Sequence, residues 1–233
     1  MGFSQYPVGR GCLRLWAFGK PMGEVVMRLF ELITFTVRVR TVAQALAQIE
    51  VALDDPKVGG TLIGCWASEI GKLNQIAVLR GYADEHLRQA ERERFLLGGG
   101  AFGVNEFITD LRIENYTLFP FLEPLNAGQH GPFYELRVYD LVSSGLQPTL
   151  DGWSKAIEAR TSEQYSPVYA AFYATDGALP RYLHIWPWAS LEQRLQVRTQ
   201  AVADGVWPPE NSGPQLRDMC STIYLPAKFS PLQ

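Results

Sequence analysis

The sequence contains an internal repeat, and this repeat restricts the possible folds more than any other feature does. FELITF (30–35) recurs as YELRVY (134–139), and the apolar residues that follow recur at the same offset, at steps of four, three and four. Such steps place four side chains on one face of a helix. These residues are Val42, Leu46, Ile49 and Leu53 in the first copy, and Leu146, Leu150, Trp153 and Ile157 in the second.

The later part of each copy also aligns. The matching segments are LNQIAVLRGYADEHLR (73–88) with LPRYLHIWPWASLEQR (179–194), and TLFP (117–120) with IYLP (223–226). Asp84 and Ser190 coincide where the second helix of each copy needs an N-cap oxygen for its free N–H groups. Four coinciding landmarks indicate a tandem duplication.

Each copy has the element order of a known small unit. It reads strand, helix, strand, turn, strand, helix, strand, which is the ferredoxin-like βαββαβ unit. The sequence therefore predicts an α+β fold of two tandem ferredoxin-like repeats, at residues 27–126 and 132–233. Gly71 and Gly177 are placed in the turns between the second and third strands, because a tight hairpin needs a positive φ.

Both helices of such a unit cover one face of its sheet and leave the other face open. Alternation along the strands predicts that Leu136, Val138, Leu183 and Ile185 face the helices of the second repeat. The predicted open faces carry Glu31, Ile33, Phe35, Ile76, Val78 and Arg80 in the first repeat, and Glu135, Arg137, Tyr139, Tyr182, His184 and Trp186 in the second. Two open faces that cover each other enclose either a lined cavity or a closed barrel core.

The second open face holds the candidate catalytic residues, which are His184, Glu135 and Tyr139. A carboxylate beside an imidazole could raise its pKa, as in general-base sites, and a neutral imidazole could bind haem iron. The competing interpretation of His184 is a core histidine that is hydrogen-bonded to a neighbour. Candidate ligand-binding residues on the two open faces are Glu31, Arg80, Arg137, Tyr182 and Trp186.

Four arginines recur on the second helix of each repeat. They are interpreted as an ion-paired face in contact with solvent. The residues are Arg88, Arg92, Arg194 and Arg198.

Composition excludes several functional classes. A net charge of −3 argues against nucleic-acid or anionic-membrane binding, and no apolar run is long enough to span a bilayer. Cys12, Cys65 and Cys220 are far apart, with no histidine at ligand spacing, so no metal site is expected. The basic residues 1–24 are interpreted as a disordered extension or a misassigned start, with a targeting segment as the alternative.

Three segments resemble the NIPSNAP family. They are SEIGKLNQIAVLRGYADEHLRQAER (68–92), FYELRVYDL (133–141) and the closing PAKFSPLQ (226–233). The resemblance implies the dimeric α+β barrel superfamily, which includes haem-degrading and cofactor-independent monooxygenases. It also implies a family with no settled reaction and with eukaryotic members linked to mitochondria. Two positions of the third strand resemble those at which the family often has His and Trp. Val78 and Arg80 occupy them in the first copy, and His184 and Trp186 occupy them in the second.

These observations lead to a functional expectation with alternatives. We expect a protein that binds a small organic ligand, or acts as an assembly scaffold, through the cavity between its sheets. The alternative is a monooxygenase-like or haem-dependent enzyme, although no cofactor is evident in the sequence. A homo-oligomer without nucleic-acid partners is expected, in the cytoplasm, or in mitochondria if the source is eukaryotic.

Overall fold

The computed structural model describes residues 28–98, 100, 102–123 and 126–233. The predictions for residues 1–24 and for Cys12 lie outside the described residues. The first repeat contains β1 (Leu29–Val37), α1 (Val42–Leu53), β2 (Thr61–Ile70), β3 (Gln75–Tyr82), α2 (Glu85–Leu97) and β4 (Ile108–Leu118). The second contains β5 (Phe133–Leu141), α3 (Leu146–Arg160), β6 (Ala170–Ala174), β7 (Arg181–Trp188), α4 (Leu191–Ala203) and β8 (Leu216–Pro226).

The eight strands form one closed antiparallel barrel in the order β1-β3-β2-β8-β5-β7-β6-β4. Each repeat contributes four neighbouring strands in the ferredoxin-like order. The repeats meet where β2 pairs with β8 and where β4 pairs with β6, so the second strand of each repeat pairs with the fourth strand of the other. The predicted α+β fold of two tandem ferredoxin-like repeats is confirmed, and both repeats belong to the same barrel.

Local signals in the sequence explain where several elements begin and turn. Asp84 and Ser190 cap α2 and α4, because each side chain accepts a hydrogen bond from the backbone N–H three residues later, at 2.9 and 3.0 Å. Gly71 lies in the β2–β3 turn with a φ of +114°, and Gly177 lies in the β6–β7 turn with a φ of +73°. These values are in the left-handed region, which glycine adopts without steric cost.

The barrel interior is filled from all eight strands and is apolar except at one end, where Arg181 pairs with Glu114 and Asp140. Its side chains include Phe30, Leu32, Trp66, Ala77, Leu79, Tyr116, Leu118, Tyr134, Leu136, Ala170, Phe172, Leu183, Ile185 and Tyr224. Aromatic pairs connect the repeats: the ring centroids of Phe30 and Phe172 are 4.9 Å apart, and those of Trp66 and Tyr134 are 5.6 Å apart. Each repeat therefore covers the inward face of the other.

The predicted assignment of the two sheet faces is wrong. Leu136, Leu183 and Ile185, which were expected under the helices, lie inside the barrel. The residues expected on the open faces point outward instead. Ile33, Phe35, Ile76 and Val78 pack against α1, and Tyr139, Tyr182 and Trp186 pack against α3.

Charge explains why the faces are arranged in this way. The outward faces carry Glu31, Arg80 and Glu135, all of which are buried. A buried charge costs several kcal/mol unless it is paired, and the apolar middle of the interior offers no partner. On the helix side, arginines from α2 and α4 reach both glutamates.

The outer surface of the helices carries exposed apolar side chains. They are Leu87, Leu96 and Leu97 on α2, and Leu191, Leu195 and Val202 on α4. Homo-oligomer formation stays a prediction. Among the described helices, none combines the length and the apolar character needed to cross a membrane.

Interior packing across the repeats gives a first testable prediction. We expect Phe172→Ala to lower the free energy of unfolding by about 3–5 kcal/mol, because it leaves a cavity between side chains of both repeats. Chemical denaturation followed by circular dichroism measures this change. Leu195→Ala on the exposed face of α4 is the control, with an expected change within about 0.5 kcal/mol. Equal effects of the two substitutions would contradict the assignment of Phe172 to the interior.

Candidate ligand-binding site

A cavity of 360 Å³ lies in the second repeat, between the outer face of the sheet, α3, α4 and the segment that joins α4 to β8. Five predicted site residues line it: Arg137, Tyr139, Tyr182, His184 and Trp186. Further wall residues are Trp153 and Arg160 on α3, Arg198 and Val202 on α4, and Trp207 and Met219 beyond α4. The cavity is therefore located under the helices and outside the barrel, whereas the sequence predicted it between the two sheets.

Glu135, a candidate catalytic residue, lies on β5 next to the arginines of the cavity and is fully buried. Arg194 binds it through both carboxylate oxygens, with Nε and Nη2 donating at 2.9 and 2.6 Å. Ser221 Oγ donates at 2.6 Å, Trp188 Nε1 at 3.2 Å and Arg198 Nη1 at 3.3 Å. The carboxylate is thus occupied by donors from β7, α4 and β8.

These donors keep Glu135 ionised. Burial by itself would raise the pKa of the carboxyl group, but the hydrogen bond from Arg194 and the charges of Arg137 and Arg194 lower the pKa overall. Arg137 Nε lies 3.6 Å from Oε1 of Glu135, which is an ion pair without a hydrogen bond. Glu135 therefore acts as a fixed anion that neutralises part of a cationic cluster.

His184 is the central polar residue of the cavity wall. Trp186 Nε1 donates a hydrogen bond to His184 Nδ1 at 2.7 Å. Because an indole nitrogen only donates, Nδ1 must be unprotonated, and the proton of the neutral ring is on Nε2. Burial, followed by the charges of Arg137, Arg198 and Arg160, lowers the pKa of His184 well below its usual value.

This arrangement does not support the roles predicted for His184. The expected partner carboxylate of Glu135 is taken by arginines, so no carboxylate raises the imidazole pKa. The Nδ1 lone pair accepts from Trp186 and Nε2 carries a proton, so the ring does not fit as a ligand of haem iron. In the described part of the chain, no group of three or more His, Cys, Asp or Glu residues could hold a metal ion.

Three side chains that line the cavity each carry a buried N–H group without an acceptor. Within the described residues, Arg137 Nε, Arg160 Nε and His184 Nε2 are buried and lack a hydrogen-bond partner. A buried donor without a partner costs about 1–3 kcal/mol, and more when the donor is charged. Such groups are rare in native proteins, and of the eight unpaired side-chain atoms found in the described residues three belong to side chains that line this one cavity.

The sequence-based reasoning missed Arg160. This residue is 2% exposed, its Nη1 donates to the carbonyl of Ser166 at 2.9 Å, and its guanidinium lies 4.4 Å from the ring centroid of Trp186. Burial, followed by the charge of Arg198, lowers its pKa to about 10. The sequence does contain a pattern that places Arg160 near the site. Steps of four and three lead from Trp153 through Ile157 to Arg160, so all three lie on the buried face of α3.

The cavity carries an excess of positive charge. Among its described lining residues three are arginines, Arg137, Arg160 and Arg198, and none is acidic. The carboxylate of the neighbouring Glu135 compensates part of this positive charge. Because Arg194 binds the same carboxylate, the excess of positive charge remains. Arg194 and Arg198 of α4 are ion-paired as predicted, but with the buried Glu135, so the prediction that they face solvent is wrong.

The first repeat contains an ion-pair network at the corresponding place, in which Arg80 Nε is also buried without a hydrogen-bond partner. Arg80 binds Glu31 at 2.7 Å and Glu91 at 2.6 Å, and Arg92 and Arg94 bind the same two glutamates. Glu31 and Arg80, predicted to bind ligand, are therefore paired with each other and lie apart from the cavity. Arg92 also departs from the prediction of a solvent-facing arginine, whereas Arg88 pairs with exposed Glu85 as predicted.

Comparison with solved structures identifies the class of the fold. A Lactobacillus acidophilus protein that is provisionally named a monooxygenase matches with a TM-score of 0.61 at 10% identity, over 86% of this chain and 94% of its own. An anthrone oxidase-like protein matches with a TM-score of 0.60 at 13% identity, over 88% and 94%. At such identities the likeness concerns the fold alone, which is that of the dimeric α+β barrels.

The sequence then identifies the family within this class. The NIPSNAP family model matches residues 30–115 and 134–231, so the chain belongs to the NIPSNAP family. The Drosophila melanogaster protein NipSnap is 24% identical over 179 residues, which are 74% of this chain and 65% of that protein. The match therefore spans just under two thirds of the length of that relative.

Removal of the Glu135 charge tests its role as the fixed anion of the site. We expect Glu135→Gln to lower the free energy of unfolding by about 3–5 kcal/mol, because Arg194, Arg198 and Arg137 would lose their buried counter-charge. Urea denaturation checks this value. Glu158→Gln on the exposed surface of α3 removes the same charge and should change stability by less than about 0.5 kcal/mol. A small change in the free energy of unfolding on Glu135→Gln would contradict the role of Glu135 as the counter-charge of these arginines.

The lowered pKa of His184 predicts an acid-sensitive fold. The folded-state pKa lies below the unfolded value of about 6.5, so the unfolded chain binds more protons below that pH. Stability should therefore fall on acidification below about pH 6.5, by up to about 1.4 kcal/mol per pH unit.

Denaturation at a series of pH values measures this slope. His184→Gln should flatten it between about pH 6.5 and pH 5, whereas His86→Gln on the surface of α2 should leave it unchanged. A slope that survives in His184→Gln would mean that another group titrates there.

Proposed function

We propose that the chain is a binding protein for a small organic anion, held in the cavity of its second repeat. The observation that carries the proposal is the set of three buried N–H donors, on Arg137, Arg160 and His184, for which the described residues supply no acceptor. An anionic oxygen is an acceptor for all three, and hydrogen bonds to charged donors are the stronger kind.

The body of the ligand is expected to be apolar and flat. Aromatic rings surround the donors: the centroid of His184 lies 4.8 Å from that of Tyr139, 5.1 Å from Trp153 and 5.2 Å from Tyr182. A volume of 360 Å³ is within the range of small-molecule sites, which combine apolar walls with a few placed polar groups. These features favour a small aromatic acid.

Binding is supported better than catalysis. A reaction that removes a proton from substrate needs a free base, but Glu135 accepts from Arg194 and Ser221, and His184 accepts from Trp186. A second groove of 500 Å³ lies on the other side of Pro208 and Pro209, with exposed lining residues such as Asp151 and Lys155. None of the buried unpaired atoms belongs to a described residue of that groove.

The test compares two ligands of the same shape, one anionic and one neutral. The probes are 2-naphthoate, an aromatic carboxylate, and 2-naphthamide, its neutral analogue, and isothermal titration calorimetry measures their affinities. We expect the purified full-length chain to bind the carboxylate at least tenfold more tightly than the amide. Arg160→Met should remove most of this preference, because a hydrogen bond to a charged group contributes about 1.5–3 kcal/mol.

The control is an arginine of equal charge outside the cavity. Arg217 on β8 has a side chain that is 59% exposed and pairs with Asp140. Arg217→Met should bind both probes as the unmodified protein does. Equal affinity for the two probes, or equal losses in the two variants, would contradict the proposed anion site.

A further inference from the structure

The two repeats carry clusters of charged side chains at corresponding places, and these clusters differ in net charge. Among the described residues of the first repeat, two glutamates pair with three arginines, which leaves an excess of one positive charge. These residues are Glu31, Glu91, Arg80, Arg92 and Arg94. Among those of the second repeat, one glutamate accompanies four arginines, which leaves an excess of three. These residues are Glu135, Arg137, Arg160, Arg194 and Arg198.

Contact with solvent does not account for this difference, because the two sets of arginines are covered to a similar extent. The side chains of Arg92 and Arg94 are 23% and 38% exposed, and those of Arg194 and Arg198 are 26% and 36% exposed. Each cluster also contains one arginine that is almost fully buried. Water therefore screens the larger charge of the second cluster no better than it screens the smaller charge of the first.

One helix position explains why the second cluster has one carboxylate fewer. Glu91 is the seventh residue of α2, and Val197 is the seventh residue of α4. Val197 packs against the apolar cluster that contains Trp186, and Trp186 occupies the position of Arg80. The guanidinium of Arg160 lies 4.4 Å from the ring centroid of Trp186. The second repeat thus places a guanidinium near the equivalent position but has an apolar side chain where the first repeat has its second glutamate.

We propose that the cavity of the second repeat takes an organic anion with two negative charges. Two negative charges reduce the excess in this cluster from three to one, which is the excess already present in the ion-paired cluster of the first repeat. This inference rests on the proposed anion-binding function and specifies the charge of its ligand. The charge may be carried by one group or by two, and the experiment below distinguishes these arrangements.

The ionisable groups of the protein are consistent with an uncompensated positive charge. Burial, followed by the charge of Arg137, lowers the pKa of Arg198, and burial, followed by the charge of Arg198, lowers the pKa of Arg160 to about 10. In the first repeat, the hydrogen bond that Arg94 donates to Glu91 raises the pKa of Arg94 instead. Negative charge in the cavity therefore offsets a repulsion between arginines that the first repeat offsets with its own carboxylates.

The first experiment compares two probes of the same shape that differ by one charge. 2,6-Naphthalenedicarboxylate is a dianion at neutral pH, and 6-carbamoyl-2-naphthoate is its monoanionic analogue. Isothermal titration calorimetry with the intact chain, at constant ionic strength, measures both affinities. We expect the dianion to bind at least about tenfold more tightly, because measured couplings between close charge pairs are at least of this size.

A second pair of probes places both charges on one group. 2-Naphthylphosphonate is a dianion above its second ionisation, and 2-naphthalenesulfonate is a monoanion of the same shape. A preference for the dianion in either pair supports the proposal, and the pair with the larger preference shows whether one group or two groups carry the charge. Equal affinities within both pairs overturn it.

A variant that adds the missing carboxylate tests whether the preference comes from this cluster. Val197→Glu gives α4 the residue that α2 has at this position, and we expect it to reduce the preference for the dianion at least about threefold. Val197→Gln has nearly the same shape without the charge and should keep the preference. Circular dichroism checks that both variants fold. A preference that persists in folded Val197→Glu contradicts the proposal.

Removal of one arginine gives the same test without a new side chain in the packed helix face. Arg198→Met should also reduce the preference for the dianion, whereas Arg217→Met, which removes an exposed arginine outside the cavity, should leave it unchanged. Equal losses of preference in these two variants would mean that the dianion responds to the overall charge of the protein, and would overturn the proposal.

The monoanions distinguish failure of this inference from failure of the proposed function. If 2-naphthoate binds more tightly than 2-naphthamide, but neither dianion binds more tightly than its monoanionic partner, the anion site stands and the inference of a doubly charged ligand fails. If none of the anionic probes binds, the anion site itself fails.

Discussion

Each repeat has an apolar sheet face that only the other repeat can cover, and the rest of the structure depends on this contact. The antiparallel pairing of β2 with β8 and of β4 with β6 closes the barrel, and aromatic pairs such as Phe30 with Phe172 fill it. The middle of the closed interior excludes water and holds uncharged side chains, whereas Arg181, Asp140 and Glu114 pair with one another at one end of the barrel. Every buried charge of the central strands is consequently directed outward, under the helices.

Because the buried charges of the strands point outward, the helices that cover the sheet form part of the site. The buried Glu135 needs cationic partners, and α4 supplies Arg194 and Arg198 from above the sheet. Two further guanidinium groups line the same cavity: Arg137 shares Glu135 with them at 3.6 Å, and Arg160 has no carboxylate partner in the described part of the chain. One cluster of charges thus stabilises the glutamate and supports the proposed affinity for an anion.

Much of the fold could be predicted from the sequence, because its signals are local and repeated. Helical steps of three and four located α1 and α3, and the N-cap positions of Asp84 and Ser190 located the start of α2 and α4. The choice of inward face could not be made from period-two alternation, since both faces of β7 are buried and apolar or aromatic. Charge would have been the better guide, because Glu135 cannot lie in a closed apolar interior.

The site was predicted in part. His184, Tyr139 and Tyr182 were grouped correctly, because neighbouring strands bring alternate residues together. Arg160 could have been found from its helical spacing to Trp153, whereas the partners of Arg194 and Arg198 depend on how far α4 lies from the sheet. A distance of that kind is set by the whole packing of the repeat, and no short segment encodes it.

The two halves of the barrel have diverged under their helices, and this divergence determines how many copies of the proposed anion site one barrel carries. Val78 and Arg80 of the first half occupy the positions of His184 and Trp186, and Arg80 closes its ion pairs with Glu31 and Glu91. In a barrel assembled from two identical chains, any substitution would alter both clefts at once. Covalent linkage of the two halves frees each cleft to change alone, so a barrel with two-fold architecture carries the proposed anion site once.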